Sequence, residues 1–142
     1  MTDTPDKPFI IRQATRSDVL HLVEFLEPFV AQGKLLRRTA DELDVLLSQC
    51  FLAVAGEKIV GCAALEVYSK KLAEVRSLAV DAGYQGLGIG KQLVQACVER
   101  AREQRILEVM AITSAEEFFR SCGFDFTLPG EKKALFLQTR DL

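Results

Sequence analysis

Two kinds of hydrophobic pattern divide the chain into predicted strands and helices. Runs of apolar residues rich in β-branched side chains predict six strands, at residues 9–14, 50–55, 59–68, 72–80, 106–112 and 133–139. Apolar residues at three- and four-residue steps predict four helices, which follow residues 17, 39, 91 and 114. This order of elements is typical of an α+β domain with a mixed, largely antiparallel sheet.

Capping and helix-breaking residues set the predicted helix ends. Ser17 and Asp18 mark the start of the first helix, and Pro28 and Gly33 bring it to an end, since neither residue is well tolerated inside a helix. Thr39 and Glu42 form a capping box that opens the second helix. Ser114 is the predicted cap of the last helix.

Length and composition predict a single domain. The chain has 142 residues, of which 49% are hydrophobic and 27% charged, so one domain over residues 1–142 can build its own core. No apolar run approaches the roughly 20 residues of a membrane span. Residues 2–7 are a polar lead that we expect to be frayed, without the apolar core of a signal peptide. We therefore expect a cytoplasmic protein that does not bind membranes.

The net charge and the number of cysteines and histidines limit the partners and metals that we expect the chain to bind. A net charge of −2 gives no general attraction for nucleic acid. Cys50, Cys62, Cys97 and Cys122 lack C-x-x-C spacing, and we expect them to be free thiols. The single histidine, His21, lies in the first predicted helix, so the sequence offers no ligand set and we expect no metal.

A glycine-rich turn between a strand and a helix carries the most informative chemistry. Four glycines fall within the eight residues 83–90, and glycine lets backbone amides approach a ligand closely. A helix that begins there directs N–H groups outward, which suits a phosphate or pyrophosphate. A P-loop does not fit, because Gln85 and Gln92 stand where a glycine and a hydroxyl are needed. The G-x-G-x-G spacing also differs from the dinucleotide-binding fingerprint.

The remaining pattern, Gln85-x-x-Gly88-x-Gly90, resembles the acyl-CoA loop of the GNAT N-acetyltransferases. Residues 118–124, Phe-Phe-Arg-Ser-Cys-Gly-Phe, look like the closing helix and turn of that family. The resemblance covers nearly the whole chain. It implies the GNAT fold, with a mixed, mostly antiparallel sheet of six to seven strands flanked by about four helices, and acetyl-CoA as co-substrate.

The resemblance also implies where acetyl-CoA binds. The strands at residues 72–80 and 106–112 would separate and admit the pantetheine arm, while loop amides would hold the pyrophosphate. The implied residues are Leu78, Ala79 and Val80 for the arm, and Gln85, Gly86, Leu87, Gly88, Ile89, Gly90 and Lys91 for the pyrophosphate.

A narrower resemblance links residues 33–39, 61–65, 73–80 and 128–133 to the acetyltransferase domain of bacterial N-acetylglutamate synthases. It implies L-glutamate as acceptor, a place in arginine biosynthesis, and a short form that lacks the amino-acid-kinase-like domain of the long synthases.

Glutamate has two carboxylates, which arginine side chains recognise well. Arg38 and Arg140 match the family's clamp positions, and the amide of Ser77 would hold a carboxylate. Arg37 stays open as a neighbouring candidate, and Asp141 is an alternative partner for Arg140.

Catalytic roles follow from the same resemblance. Amines are mostly protonated at neutral pH, so transfer needs a base, and Glu74 matches the family's carboxylate. Glu74 shares a strand face with Arg76 and Leu78 if no bulge intervenes. The alternative to a catalytic role for Glu74 is a surface ion pair with Arg76.

Thr113 matches the hydroxyl that protonates the leaving thiolate. Phe119 stands where many relatives have a tyrosine acid, and phenylalanine cannot donate a proton.

Three alternatives stay open on the sequence alone. The chain could acetylate another small amine or a protein amine, or it could bind acetyl-CoA without catalysis, which the missing tyrosine allows. It could also be an α+β domain whose glycine turn binds no nucleotide. In this family the antiparallel strands often permit a homodimer, which we keep as an expectation.

Overall fold

The computed structural model describes residues 7–127 and 129–140, and within them a single five-stranded sheet. The strands lie in chain order across the sheet: β1 (Ile10–Gln13), β2 (Cys50–Ala55), β3 (Lys58–Val67), β4 (Leu72–Val80) and β5 (Glu108–Met110). The first four are antiparallel neighbours, and β5 runs parallel to β4. The predicted mixed, mostly antiparallel α+β architecture is confirmed.

Four α-helices in the described residues cover the two faces of this sheet. They are α1 (Val19–Ala31), α2 (Ala40–Leu46), α3 (Ile89–Glu103) and α4 (Glu116–Ser121). Buried residues of α3 and α4 join one hydrophobic core, and those of α1 and α2 join a second core on the opposite face. The sheet is therefore the middle of three layers.

The core under α3 is packed at close range. Leu93, Val94 and Cys97 of this helix have no exposed surface. At Gly61 of β3, an added Cβ would lie 3.0 Å from Cγ2 of Ile89 and 3.1 Å from Cδ1 of Leu93. The absence of a side chain at Gly61 therefore lets the first turn of α3 pack closely against the sheet.

An ion pair anchors the start of α1 to the edge of the sheet. Both terminal nitrogens of Arg12 donate to Asp18 at 2.8 Å, and the amide of Thr15 donates to the same carboxylate at 2.7 Å. Asp18 is buried. The hydrogen bonds from Arg12 hold the pKa of the Asp18 carboxyl well below its usual range.

The described sheet has fewer strands than the six to seven predicted. Residues 133–139 form no strand, and Leu135, Phe136 and Leu137 are exposed. A run of apolar residues is stable as a strand only when a neighbouring edge provides hydrogen bonds and packing, and this segment does not pair with the sheet. β5 is also shorter than predicted, because its pairing with β4 begins only at Glu108.

The predicted end of the first helix is confirmed at Gly33 and wrong at Pro28. Pro28 lies inside α1, which continues to Ala31 and is followed by Gly33 at φ +73°. Burial of Leu22 and Leu26 against the second core outweighs the loss of one helical hydrogen bond at the proline.

Some predictions fall partly outside the described residues. These are the frayed lead, of which only Lys7 is described, the residue at 128 of the predicted turn, and Asp141 as a partner for Arg140. Pro129 and Gly130 do lie in a turn. Among the described residues, none of the helices combines the length and the apolar character needed to cross a membrane.

Candidate active site

The two parallel strands, β4 and β5, separate in the middle of β4. Pairing between β4 and β5 is limited to Leu72 with Glu108, Ala73 with Val109, and Glu74 with Met110. β5 ends there, whereas β4 continues to Val80. Among the described residues, the second half of β4 therefore pairs with β3 only. We call the space beside its other, unpaired backbone edge the slot.

A bulge changes the orientation of β4 just beyond this point. In its register with β3, Arg76 faces Ala64 and Ala79 faces Cys62, so Ser77 and Leu78 together oppose one residue. Ser77 adopts a left-handed conformation at φ +56°, and its carbonyl accepts a hydrogen bond from the Cys62 thiol at 3.1 Å. The bulge shifts the alternation of side chains by one residue.

This shift corrects one prediction. Leu78 packs against the core under α3, and Ala79 joins the core under α1 and α2. Glu74 and Arg76 alternate with Ala73 and Val75 of the α3 core, so they face the α1 and α2 side. Leu78 therefore does not share a face with Glu74, because the bulge lies between them.

The glycine loop presents bare backbone at the mouth of the slot. Gly86 and Gly88 have φ of +80° and +83°, and a Cβ added at either would meet no atom within 4 Å. Gly88 is the N-cap of α3 and has no side chain to cap the first-turn amides. These N–H groups, at the positive end of a 15-residue helix, fit a pyrophosphate.

The other loop residues fall into two groups. Ile89 is fully buried in the core, so only its backbone can reach a ligand. Gln85 and Lys91 are exposed, and the Gln85 amide makes a loose contact of 3.5 Å to the Val80 carbonyl. Gly90 lies against Phe118 of α4, where an added Cβ would be 3.3 Å from Cζ of the ring.

A cluster of polar side chains lies on the other face, where β4 and β5 still pair. Glu74 is only 7% exposed, and its Oε1 accepts a 2.6 Å hydrogen bond from the Tyr68 hydroxyl. Glu66, directly opposite Glu74 in the β3–β4 register, lies 2.9 Å from the same hydroxyl and accepts a 2.8 Å bond from Arg76. The ion pair of Arg76 is thus with Glu66, and the expected surface pair with Glu74 is not formed.

Neighbouring charges and burial shift the pKa values of two groups in this cluster in opposite directions. The hydrogen bond from Arg76 lowers the pKa of the Glu66 carboxyl, and the nearby positive charge of Arg38 acts in the same direction. Burial raises the pKa of the Tyr68 hydroxyl to about 12, and its contacts with Glu74 and Glu66 add to this. Tyr68 therefore remains a neutral hydroxyl at physiological pH.

Neither Glu66 nor Tyr68 was identified from the sequence. The available signal was the alternation along β3, which puts Glu66 on the same face as Ala64. This alternation indicates a cluster only once the β3–β4 register is known, because the register places Glu66 opposite Glu74. Tyr68 follows the end of β3, and its amide donates to the Leu72 carbonyl at 3.0 Å across the hairpin.

The three candidate arginines differ in their surroundings. Arg37 forms a two-pronged ion pair with Glu27, at 2.7 and 2.8 Å, on the surface. Arg38 is half-buried and near enough to Glu66 to affect its pKa. Arg140 is exposed at the end of the described residues, and the structure does not bring it to the cluster.

Thr113 and Ser114 lie just before α4, and the predicted cap at Ser114 is wrong. The N-cap of α4 is Ala115, whose amide donates to Thr113 Oγ1 at 2.8 Å, so Ser114 does not cap the helix. Thr113 is exposed and keeps its hydroxyl proton for another acceptor. Phe119 is buried, with its ring centroid 5.1 Å from that of Phe118 and 5.2 Å from that of Phe124. Its role is core packing.

Comparisons with known proteins agree with this geometry. Residues 18–124 match the model of the Acetyltransferase (GNAT) family. A Mycobacterium tuberculosis protein named amino-acid acetyltransferase is 33% identical over 129 residues, which cover 87% of this chain and 73% of that protein.

Two solved structures have similar folds. Rv2747 from Mycobacterium tuberculosis, in complex with CoA and NLQ, matches with a TM-score of 0.76 and 30% identity, covering 88% of this chain and 76% of that one. N-acetylglutamate synthase from Neisseria gonorrhoeae, complexed with coenzyme A and N-acetyl-glutamate, matches with a TM-score of 0.72 and 26% identity over 82% of this chain. This chain covers only 28% of the Neisseria protein.

Proposed function

The chain belongs to the GNAT acetyltransferase family, and we propose that it transfers the acetyl group of acetyl-CoA to the amine of L-glutamate. The product would be N-acetylglutamate, the first intermediate that the narrower resemblance implies for arginine biosynthesis. The observation that carries the proposal is the buried carboxylate of Glu74, set beside arginines at the point where β4 and β5 separate.

Acetyl-CoA is the co-substrate, as in the related structures that contain CoA. The residues of this chain fit it: Gly86 and Gly88 leave bare backbone for the pyrophosphate, and the open edge of β4 from Leu78 to Val80 suits the amides of a pantetheine arm. No group of three potential metal ligands occurs among the described residues.

Glu74 is proposed as the general base. It would accept a proton from the ammonium of the acceptor, directly or through water, so that the neutral amine attacks the thioester carbon. Its burial keeps the carboxylate close to the slot and away from bulk water. The bond to Tyr68 at 2.6 Å fixes one oxygen, which leaves the other available to face the acceptor.

Arg38, Arg140 and the amide of Ser77 are proposed to bind the two carboxylates of glutamate. Arg38 is half-buried on the cluster side, and the left-handed turn at Ser77 lies where β4 opens. Arg140 is exposed, so its contribution requires that residues 131–140 approach the acceptor. Support for a dicarboxylic acceptor also comes from the two relatives whose names specify amino-acid or N-acetylglutamate chemistry.

Thr113 is proposed to return a proton to the departing thiolate. Its hydroxyl lies between β5 and α4, and the hydrogen bond it accepts from Ala115 fixes the position of the oxygen. Phe119 cannot take this role, since it has no proton to donate and is packed in the core. A thiolate is a good leaving group, so the expected loss in Thr113→Val is smaller than that in Glu74→Gln.

Thiol release from acetyl-CoA tests the proposal. The purified protein is assayed with L-glutamate, L-glutamine, L-aspartate, L-lysine and polyamines, together with the variant Glu74→Gln. We expect turnover with glutamate and a loss of about 10²- to 10⁴-fold in kcat for Glu74→Gln. The control is Glu99→Gln, an exposed residue of α3 that pairs only with Arg102 at 3.0 Å among the described residues.

Each outcome selects one interpretation. Turnover with another amine but not with glutamate would exclude the acceptor while keeping the acetyltransferase. Binding of acetyl-CoA without turnover on any amine would favour the non-catalytic module. Equal activity of Glu74→Gln and Glu99→Gln would exclude Glu74 as the base.

A further inference from the structure

The Tyr68 hydroxyl contacts two carboxylates although it carries one proton. It lies 2.6 Å from Oε1 of Glu74 and 2.9 Å from Oε2 of Glu66. Ionised carboxylates only accept hydrogen bonds, so with both groups charged the hydroxyl can donate to one of them at a time. The cluster is therefore one proton short of making both hydrogen bonds.

One added proton completes the cluster. If Glu74 is protonated, its O–H donates to the Tyr68 oxygen, and the Tyr68 O–H donates to Glu66. Both short contacts are then hydrogen bonds, and Glu66 keeps its charge beside Arg76 at 2.8 Å. The arrangement thus suits the state of Glu74 after it has taken a proton from an amine.

Glu74 is the buried member of these three groups, and both of its partners reach solvent. Glu74 is 7% exposed and Tyr68 is 51% exposed, and the side chain of Glu66 is 26% exposed. The other charged groups around them are Arg76 on β4 and Arg38 before α2, both positive. β5 contributes the uncharged Met110 as the register neighbour of Glu74.

We propose that Tyr68 positions the Glu74 carboxylate and carries its proton to Glu66, which releases it to water. This proposal rests on the proposed role of Glu74 as base. In one turnover the acceptor ammonium gives a proton to Glu74. Tyr68 then accepts that proton on its oxygen while giving its own to Glu66, and Glu66 loses one to solvent. No tyrosinate forms, and Glu74 is ionised again for the next acceptor.

The test compares Tyr68→Phe with wild-type protein across pH, with whichever amine of the panel gives turnover. The base is needed only while the amine arrives protonated. We therefore expect kcat of Tyr68→Phe to fall about 30-fold near pH 7, and by less than about threefold near pH 9.5. A purely structural defect would not disappear at high pH.

Two further variants define the relay. Glu99→Gln, whose carboxylate pairs with Arg102 on the exposed face of α3, is the control and should behave as wild type. Glu66→Gln should reproduce the pH-dependent loss in kcat. The double variant Tyr68→Phe with Glu66→Gln should be no slower than Tyr68→Phe alone, since both act in one path.

The outcomes separate this proposal from the proposed function. The turnover of wild-type protein on the amine panel identifies the acceptor. The ratio of variant to wild-type kcat tests the relay. A Tyr68→Phe defect that is equal at all pH values, that appears only in KM for the acceptor, or that adds fully to Glu66→Gln would overturn the relay. Absence of turnover on every amine would overturn both proposals.

Discussion

On the two faces of β4, the two halves of the proposed site are built by different means. On the α3 side the binding surface is backbone: a glycine loop, an open strand edge, and a helix held against Gly61 at van der Waals distance. On the α1 and α2 side it is made of charged and hydroxyl side chains, Glu66, Tyr68, Glu74 and Arg76, that hold each other in place.

This difference accounts for the ligand group that we propose for each half. Acetyl-CoA always presents the same pyrophosphate and the same pantetheine amides. Backbone groups of the protein can bind them whatever side chains the residues carry. An acceptor amine is recognised by its own charges, so its site depends on particular side chains. Variants on the two sides should therefore change different kinetic constants.

The largest effect on substrate binding is expected from a side chain placed in the backbone half. Gly88→Val adds a branched side chain at φ +83°, in open space where the pyrophosphate fits. We expect acetyl-CoA affinity to fall about 100-fold, or about 2.7 kcal/mol, as measured by titration calorimetry. Gly56→Val introduces similar strain at φ +62° in the β2–β3 turn and serves as control. Equal losses of affinity in both variants would contradict the assignment.

The side-chain half is tested by a pair of neighbouring arginines. Arg38→Met should raise KM for glutamate about 30-fold and leave KM for acetyl-CoA nearly unchanged, because a charge-assisted pair is worth about 2 kcal/mol. Arg37→Met is the matched control, since Arg37 is held by Glu27 on the surface. A larger effect from Arg37→Met would reverse the assignment.

Arg140 allows a test of the C-terminal segment. We expect Arg140→Ala to raise KM for glutamate about tenfold, and far more than KM for acetyl-CoA, since the loss of a partly solvated ion pair is worth about 1.4 kcal/mol. Steady-state kinetics with each substrate varied in turn measure both constants. Equal changes in the two would exclude Arg140 as a carboxylate clamp.

Packing on the backbone half is tested by Gly61→Ala. The new methyl would lie 3.0 Å from Cγ2 of Ile89 and 3.1 Å from Cδ1 of Leu93, so the side chains of the first turn of α3 must shift slightly. We expect a loss of about 1 kcal/mol in the free energy of unfolding by urea. KM should rise for acetyl-CoA but not for the acceptor. Ala63→Gly, which removes a methyl group from the same strand, should leave the α3 loop in place and KM for acetyl-CoA unchanged.

The smallest effect is expected from acid on the ion pair that anchors α1. The folded-state pKa of Asp18 is lowered, so its stabilisation is present above the unfolded pKa of about 3.9 and is lost as pH falls towards the folded value. Asp18→Asn should therefore cost about 1 kcal/mol near pH 7 and progressively less below about pH 4. Urea unfolding at several pH values measures this difference, and a constant difference would contradict it.

The sequence predicted the backbone half well and the side-chain half poorly. Glycine spacing and the strand before it are local signals, so the loop at Gly86 and Gly88 and the strand Leu72–Val80 were identified correctly. The Glu66–Tyr68–Glu74 cluster depends on a cross-strand register and a hairpin, and neither is encoded by neighbours in sequence. The strand predicted at residues 133–139 is absent for a related reason. A strand forms only beside a partner strand, and the sequence of the segment does not show whether one is within reach.

The bulge at Ser77 and Leu78 decides which side chains of β4 face each layer beyond Arg76. Before it, even-numbered side chains face α1, and beyond it odd-numbered ones do. A straight strand with the same number of residues would keep strict alternation and exchange the two surfaces beyond that point. Ala79 would then turn towards α3 and Leu78 towards α1, whereas deleting one of the two bulge residues would leave Ala79 on its present side. We therefore expect changes that straighten the bulge without shortening the strand to disrupt both halves of the site at once.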